Sequence, residues 1–223
     1  MPNPFPTLTG PSRKPAAGGA PKKLVVLLHG LGADGNDLIG LAPYWANLLP
    51  DAEFLSPDAP FPCDMGPFGR QWFSVQNRTP ETMLAGVRAA APILDAFLDD
   101  ALKSRGLAGN ALALVGFSQG AMMSLFVGLR REAAPAAILA YSGALVAPQL
   151  LAAELRCKPP VMIVHGDADP VVPFTMMPVA VAGLKAVGIE AETLVRPGLG
   201  HGIDEEGLER GGAFLRASFA RAT

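Results

Sequence analysis

Leu112-Ala-Leu-Val-Gly-Phe-Ser-Gln-Gly-Ala-Met-Met-Ser-Leu-Phe126 decides how the rest of the chain is read. An apolar run from Leu112 to Val115 enters Gly116-Phe117-Ser118-Gln119-Gly120, and a second apolar run with helical character continues from Ala121 to Leu129. The pattern predicts a strand, a very tight turn and a helix, with Ser118 at the apex. A turn this sharp brings backbone close to the apical residue, which explains glycine at 116 and 120. It also predicts a strained apex that pushes the hydroxyl into the open above the sheet, as a nucleophile requires. The structural alternative is a turn serine that caps the following helix.

Around this unit, apolar runs of strand length alternate with helical patterns. Strands are predicted near Leu24–His29, Glu53–Ser56, Ala136–Tyr141, Pro160–His165 and Glu190–Val195, with an edge strand at Thr7–Pro15. Helices are predicted near Asp37–Leu49, from Pro80 to Gly106 with Thr79 as N-cap, at Phe174–Val187 and at Asp204–Ala220. Leu84, Val87, Ala91, Leu94, Leu98 and Leu102 form one stripe on the long helix, and Pro92 inside it predicts a kink. Strands that are apolar throughout and alternate with helices indicate an α/β fold, a mostly parallel central sheet with helices on both faces. Residues 1–6 read as a flexible tail and residues 7–223 as a single domain. The longest irregular stretch, Ala59 to Pro80, is too short for a cap domain.

Composition narrows the function. The 223 residues are half apolar and carry a net charge of −2, which offers nothing to nucleic acid or to an anionic membrane. No run approaches a membrane span, and Met1 to Lys23 is broken by prolines rather than carrying an apolar leader core. A cytoplasmic protein without stable membrane association is expected. Cys63 and Cys157 stand far apart with no CxxC pattern, so two reduced thiols and no metal site are expected.

In a parallel sheet, ligands bind beyond the carboxyl ends of the strands, and His29, Ser118, Ser142, Asp169 and His201 all fall there. A serine nucleophile needs a base, and the base needs an orienting acid. Serine at such a turn is followed in the chain by the acid and then the histidine. Of three histidines, only His201, in Gly198-Leu-Gly-His-Gly202, lies downstream of everything. His29 and His165 read as buried strand-end histidines bonded to backbone. The acid follows the strand ending at His165, and Asp169, fixed by Pro170, is favoured over Asp167. The oxyanion donors fall on the backbone of Gln119 and of Leu31, between Gly30 and Gly32.

Two competing readings come from other classes. Gly30-Leu-Gly-Ala-Asp-Gly35, with Asp58 further on, matches a dinucleotide-binding fingerprint, which would make the chain an oxidoreductase. Against it, Asp34 would face a pyrophosphate, and Ser118, Asp169 and His201 would be left unexplained. A non-catalytic binding protein is expected to lack a member of that set.

Leu28-His-Gly-Leu-Gly32, Gly116-Phe-Ser-Gln-Gly120, His165-Gly-Asp-Ala-Asp-Pro-Val-Val-Pro173 and Gly200-His201 together resemble the phospholipase/carboxylesterase family of α/β-hydrolases. The resemblance implies an α/β-hydrolase fold, Asp169 as acid, His201 as base, and Leu31 and Gln119 as oxyanion donors. Gln71-Trp-Phe73 resembles the family's Trp-Phe wall beside the acyl pocket, and Ser142-Gly-Ala-Leu145 another pocket loop. A pocket lined by Leu31, Met65, Trp72, Phe73, Leu145 and Val172 follows as an expectation. So does a serine carboxylesterase acting on short- to medium-chain acyl esters without cofactor. Acyl-protein thioesterase or lysophospholipase activity is the alternative with the same triad. Dimers are common in the family.

Overall fold

A computed structural model describes residues 5–222. Strands β1 (Ser12–Arg13), β2 (Lys23–Leu28), β3 (Ala52–Leu55), β4 (Phe61–Pro62), β5 (Arg70–Gln71), β6 (Leu112–Phe117), β7 (Ala137–Tyr141), β8 (Val161–Gly166) and β9 (Glu192–Arg196) are joined by seven helices. These are α1 (Gly35–Ile39), α2 (Ala42–Trp45), α3 (Pro80–Lys103), α4 (Gln119–Gly128), α5 (Leu151–Glu154), α6 (Met176–Ala186) and α7 (Glu205–Ala222). Seven strands form the main sheet in the order β1-β3-β2-β6-β7-β8-β9. All neighbours pair in parallel except β1, which runs antiparallel along β3. β4 and β5 make a separate two-stranded hairpin.

Alternation along β2 divides the core between the two faces of the sheet. Leu24, Val26 and Leu28 point into a cluster with α3 and part of α4, through Val87, Leu94, Leu98, Met123 and Phe126. Val25 and Leu27 point the other way, toward Leu38 of α1, Trp45 of α2 and Phe214, Leu215 and Phe219 of α7. A third cluster joins Ala121 and Leu125 of α4 to Ile138, Val161 and Ile163 and to Met177 and Leu184 of α6. Burial of a sheet on both faces is why its strands read as continuous apolar runs. The closing helix is also pinned by two buried donors. Trp45 Nε1 donates to Leu208 O at 2.9 Å, and the Tyr141 hydroxyl donates to Gly207 O at 3.0 Å.

Two element boundaries are adjusted. The edge strand foreseen at Thr7–Pro15 contracts to two residues. Pro11 and Pro15 lack the N–H that a longer ladder needs, although the Thr9 and Pro11 carbonyls still accept from Asp58 and Ser56. The helix foreseen at 37–49 divides into α1 and α2, with Pro43 in the first turn of the second, where its missing N–H is tolerated. The long helix α3 runs unbroken through Pro92, from the Thr79 cap to Lys103. Phe5, in the stretch read as a tail, packs against the first cluster; residues 1–4 lie outside the described residues. No helix among those described is long and apolar enough to cross a membrane.

Candidate active site

Ser118 joins β6 to α4 with φ 55° and ψ −117°, a conformation that a side chain with a Cβ rarely adopts. The main-chain N–H of Ser118 donates to Tyr141 O at 2.9 Å, which ties the turn to the neighbouring strand. A Cβ at Gly120 would lie 1.9 Å from Leu28 O, and one at Gly116 would lie 2.3 Å from Gly120 O. Only glycine fits either place. The capping alternative fails, because the Ser118 side chain makes no capping bond to the helix that it opens.

His201 and Asp169 meet across the ends of β8 and β9. Asp169 Oδ2 lies 2.7 Å from His201 Nδ1, and Oδ1 accepts the N–H groups of Val171 at 2.8 Å and Val172 at 2.9 Å. Burial alone would raise the Asp169 carboxyl. The bonds from His201, Val172 and Val171 outweigh it and hold the group below the usual carboxylate range. An ionised carboxylate can only accept, so Nδ1 of His201 carries the ring proton and Nε2 is left bare. Nε2 has no hydrogen-bond partner among the described residues. The ring leans on Phe117 with centroids 4.8 Å apart. Asp167 does something else: its Oδ1 accepts the Gly198 N–H at 2.6 Å and fixes the loop that carries His201.

The other two histidines are buried and bonded to backbone. His29 Nε2 accepts the Ala59 N–H at 3.0 Å, and Nδ1 donates to Gly30 O at 2.7 Å. Burial lowers its pKa, so the ring stays neutral. His165 Nε2 lies 2.9 Å from Val172 O and 3.4 Å from Asp169 Oδ2, two acceptors, so that nitrogen carries the proton. His165 therefore also faces Oδ2, the carboxylate oxygen that meets His201.

A groove of about 640 Å³ opens over Ser118 and His201, lined by Leu31, Met83, Met122, Leu145, Val172 and Met176 among others. Leu31 and Gln119 also line it, and neither main-chain N–H has a hydrogen-bond partner among the described residues. Of the six pocket residues expected from sequence, Leu31, Leu145 and Val172 line the groove and three do not. Met65 is 57 % exposed on the outside of its loop. Trp72 and Phe73 are sealed into the first core cluster. Their backbone is clamped by Gln119, whose Oε1 accepts from Trp72 N and whose Nε2 donates to Phe73 O, both at 2.8 Å. Trp72 Nε1 also donates to His29 O at 3.0 Å. The Trp-Phe pair therefore stands behind the loop; Val75, Arg78 and Pro80, slightly further on, supply the groove wall. Sequence reading missed Met83, Met122 and Met176. Nothing in the sequence marks them: Met122 lies in a mostly apolar helix, and only the fold shows it to be that helix's one partly exposed position.

The dinucleotide reading fails on the same loop. Asp58 Oδ1 accepts the Gly35 N–H at 2.8 Å and Asp34 caps Asn36 N, so two of the chain's own carboxylates hold the N-terminus of a five-residue helix. A pyrophosphate would have to displace them. Among the described residues, no three His, Cys, Asp or Glu side chains gather as a metal ion would need, and Cys63 and Cys157 are free thiols.

The phospholipase/carboxylesterase family model matches residues 15–219. The chain belongs to that family. Membership makes it a hydrolase. It is 30 % identical over 188 residues to the esterase YpfH of Escherichia coli, covering 84 % of this chain and 79 % of that one. It is 28 % identical to the acyl-protein thioesterase 1 of Gibberella zeae, covering 86 % and 88 % of the two chains. In structure it resembles the esterase PE8, with a TM-score of 0.90 at 46 % identity over 95 % of this chain and 99 % of that one.

Proposed function

We propose that this family member is a serine carboxylesterase that cleaves short- to medium-chain acyl esters through Ser118, His201 and Asp169. The observation that carries the reading is the state of His201: Nδ1 is tied to the Asp169 carboxylate while Nε2 is unpartnered, in the groove that also holds the uncapped Ser118 hydroxyl. Nε2 takes the hydroxyl proton as Ser118 Oγ attacks the ester carbonyl. Negative charge then develops on the carbonyl oxygen, to which the unpartnered N–H groups of Leu31 and Gln119 donate. Collapse of this intermediate expels the alcohol, which takes the proton from Nε2 and leaves an acyl-serine. Water, deprotonated by the same nitrogen, attacks the acyl-serine; the acyl–Oγ bond breaks, Ser118 Oγ takes the proton back from Nε2, and the carboxylic acid leaves. Because Asp169 stays ionised at neutral pH, it stabilises the imidazolium formed in each half.

A second reading, thioester cleavage by the same groups, is favoured by the relatives named acyl-protein thioesterase 1. A panel of acyl esters and acyl-thioesters of rising chain length, given to purified protein, separates the two. The proposal expects ester turnover that is highest at short and medium chains. Turnover confined to long-chain thioesters would replace it with the second reading.

A further inference from the structure

The groove over Ser118 carries a charge that cleavage of neutral esters does not use. Its one charged lining side chain is Arg78, and no Asp, Glu or Lys lines it among the described residues. Arg78 lies just before the α3 cap, exposed, next to the groove residues Val75, Pro80 and Met83. Its only hydrogen bond is a long one, Nε to Val75 O at 3.4 Å, and it makes no ion pair among the described residues. Six of the other arginines are ion-paired, Arg156 with Glu132 among them, while Arg13, Arg70, Arg210, Arg216 and Arg221 make no ion pair among the described residues and do not line the groove. Arg88 and Arg130 share Glu154, Arg105 meets Glu53, Arg131 meets Asp95 and Asp99, and Arg196 meets Asp204 and Glu206. A planar guanidinium with both terminal amino groups free, at the rim of an apolar groove, suits a carboxylate, phosphate or sulfonate.

We propose that the substrate class of this site is an ester carrying an anionic group, with Arg78 as the residue that receives the anion. The inference rests on the esterase reading given above and narrows it. The groove holds the apolar part of the substrate, and Arg78 answers the charged part where that part leaves the apolar walls. The anion can belong to the acyl end or to the alcohol end; both present the same group to a guanidinium.

Matched pairs of esters distinguish these sources and test the idea. One pair places a terminal carboxylate or its neutral amide on the acyl chain. The other places the same two groups on the leaving phenol. For each pair, the ratio of kcat/KM for the carboxylate ester to that for the amide ester is measured in wild-type protein, Arg78→Gln, Arg78→Lys and Arg78→Glu. Dividing the wild-type ratio by a variant's ratio cancels the intrinsic reactivity difference within the pair. An exposed charge pair gives up to about 1 kcal/mol, about a fivefold effect at low salt. The expectation is that Arg78→Gln lowers the ratio by about three- to fivefold in at least one pair. Arg78→Lys should keep part of the preference, Arg78→Glu should lower the ratio further, and 0.5 M salt should shrink the wild-type preference. The pair that responds identifies the end bearing the anion. Ratios that do not change between wild type and Arg78→Gln in either pair would overturn the inference and leave the esterase reading standing. Wild-type protein that cleaves neither member of either pair would overturn both.

Discussion

At the scale of single residues, the two oxygens of Asp169 face different tasks. Oδ1 is held by two backbone N–H groups, so the carboxylate cannot rotate, and Oδ2 is presented to His201. Asn at 169 could still accept those backbone bonds through its amide oxygen, but it would turn an N–H₂ toward Nδ1. His201 would then settle with its proton on Nε2, where no base remains. Asp169→Asn is therefore expected to keep the fold and lose about 10³- to 10⁴-fold in kcat. Asp167→Asn keeps an acceptor for Gly198 and should change kcat little. Steady-state kinetics and circular dichroism on both variants check this; Asp167→Asn as the more damaging change would make Asp167 the acid and overturn the assignment to Asp169. The choice between these two residues was only half legible in the sequence. Pro170 hinted that the chain after Asp169 is fixed, but which carboxylate faces His201 depends on how the 196–200 loop folds back over β8. That is set by backbone bonds such as Ala168 N to Leu199 O, which no local pattern reports.

At the scale of elements, the stretch from Ala59 to Pro80 governs access to the site. It contains the two-stranded β4-β5 hairpin, and its middle is anchored inward. Arg70 donates to the Ala59 and Pro60 carbonyls, Gly32 N and Arg70 O bond at 2.9 Å, and the Gln119 side chain holds both Trp72 and Phe73. Each anchor would have to break, with buried polar groups left unpaired at about 1–3 kcal/mol apiece, before the segment could swing away. It should behave as a fixed wall. Rate against concentration of a medium-chain ester is expected to saturate smoothly through the solubility limit; a jump in rate when an emulsion or micelles form would reveal a lid. The two aromatic residues in this stretch show where sequence reading stops. Trp72 and Phe73 stand out in an irregular, proline-rich segment and invite a pocket role. Whether such side chains turn toward groove or core is decided by tertiary packing, because no helical or strand period fixes their direction. The regular elements were easier. The continuous apolar run of β2 states that both its faces are buried, and the stripe on α3 states which face of that helix is.

At the scale of the whole molecule, the central parallel sheet and its helices were readable because every central strand is covered on both sides. The groove was not, since its walls come from six separate segments. Buried and paired groups spread over the fold also give it a characteristic response to acid. His29 is held neutral by burial, so its folded pKa lies below the unfolded value of about 6.5. Its contribution is fully present above that value and is lost as pH falls through the folded one. Asp204 is lowered too: burial opposes the shift, but the Gly207 N–H and Arg196 outweigh it. With Asp169, its contribution is intact above about pH 3.9 and is lost as pH falls through the still lower folded values. Tm should therefore be level from pH 8 to about 6.5, decline below it, and fall again below about 4. His29→Gln should remove the first decline and keep the second. A Tm profile that stays level down to pH 4 in the wild type would contradict the burial argument for His29. The central claim, that one strained serine does the chemistry of the whole chain, is tested most directly by intact mass after treatment with an organophosphorus probe, followed by peptide mapping. The account predicts a single adduct on Ser118, with labelling and turnover abolished together in Ser118→Ala. An adduct on any other residue, or turnover that survives Ser118→Ala, would contradict it.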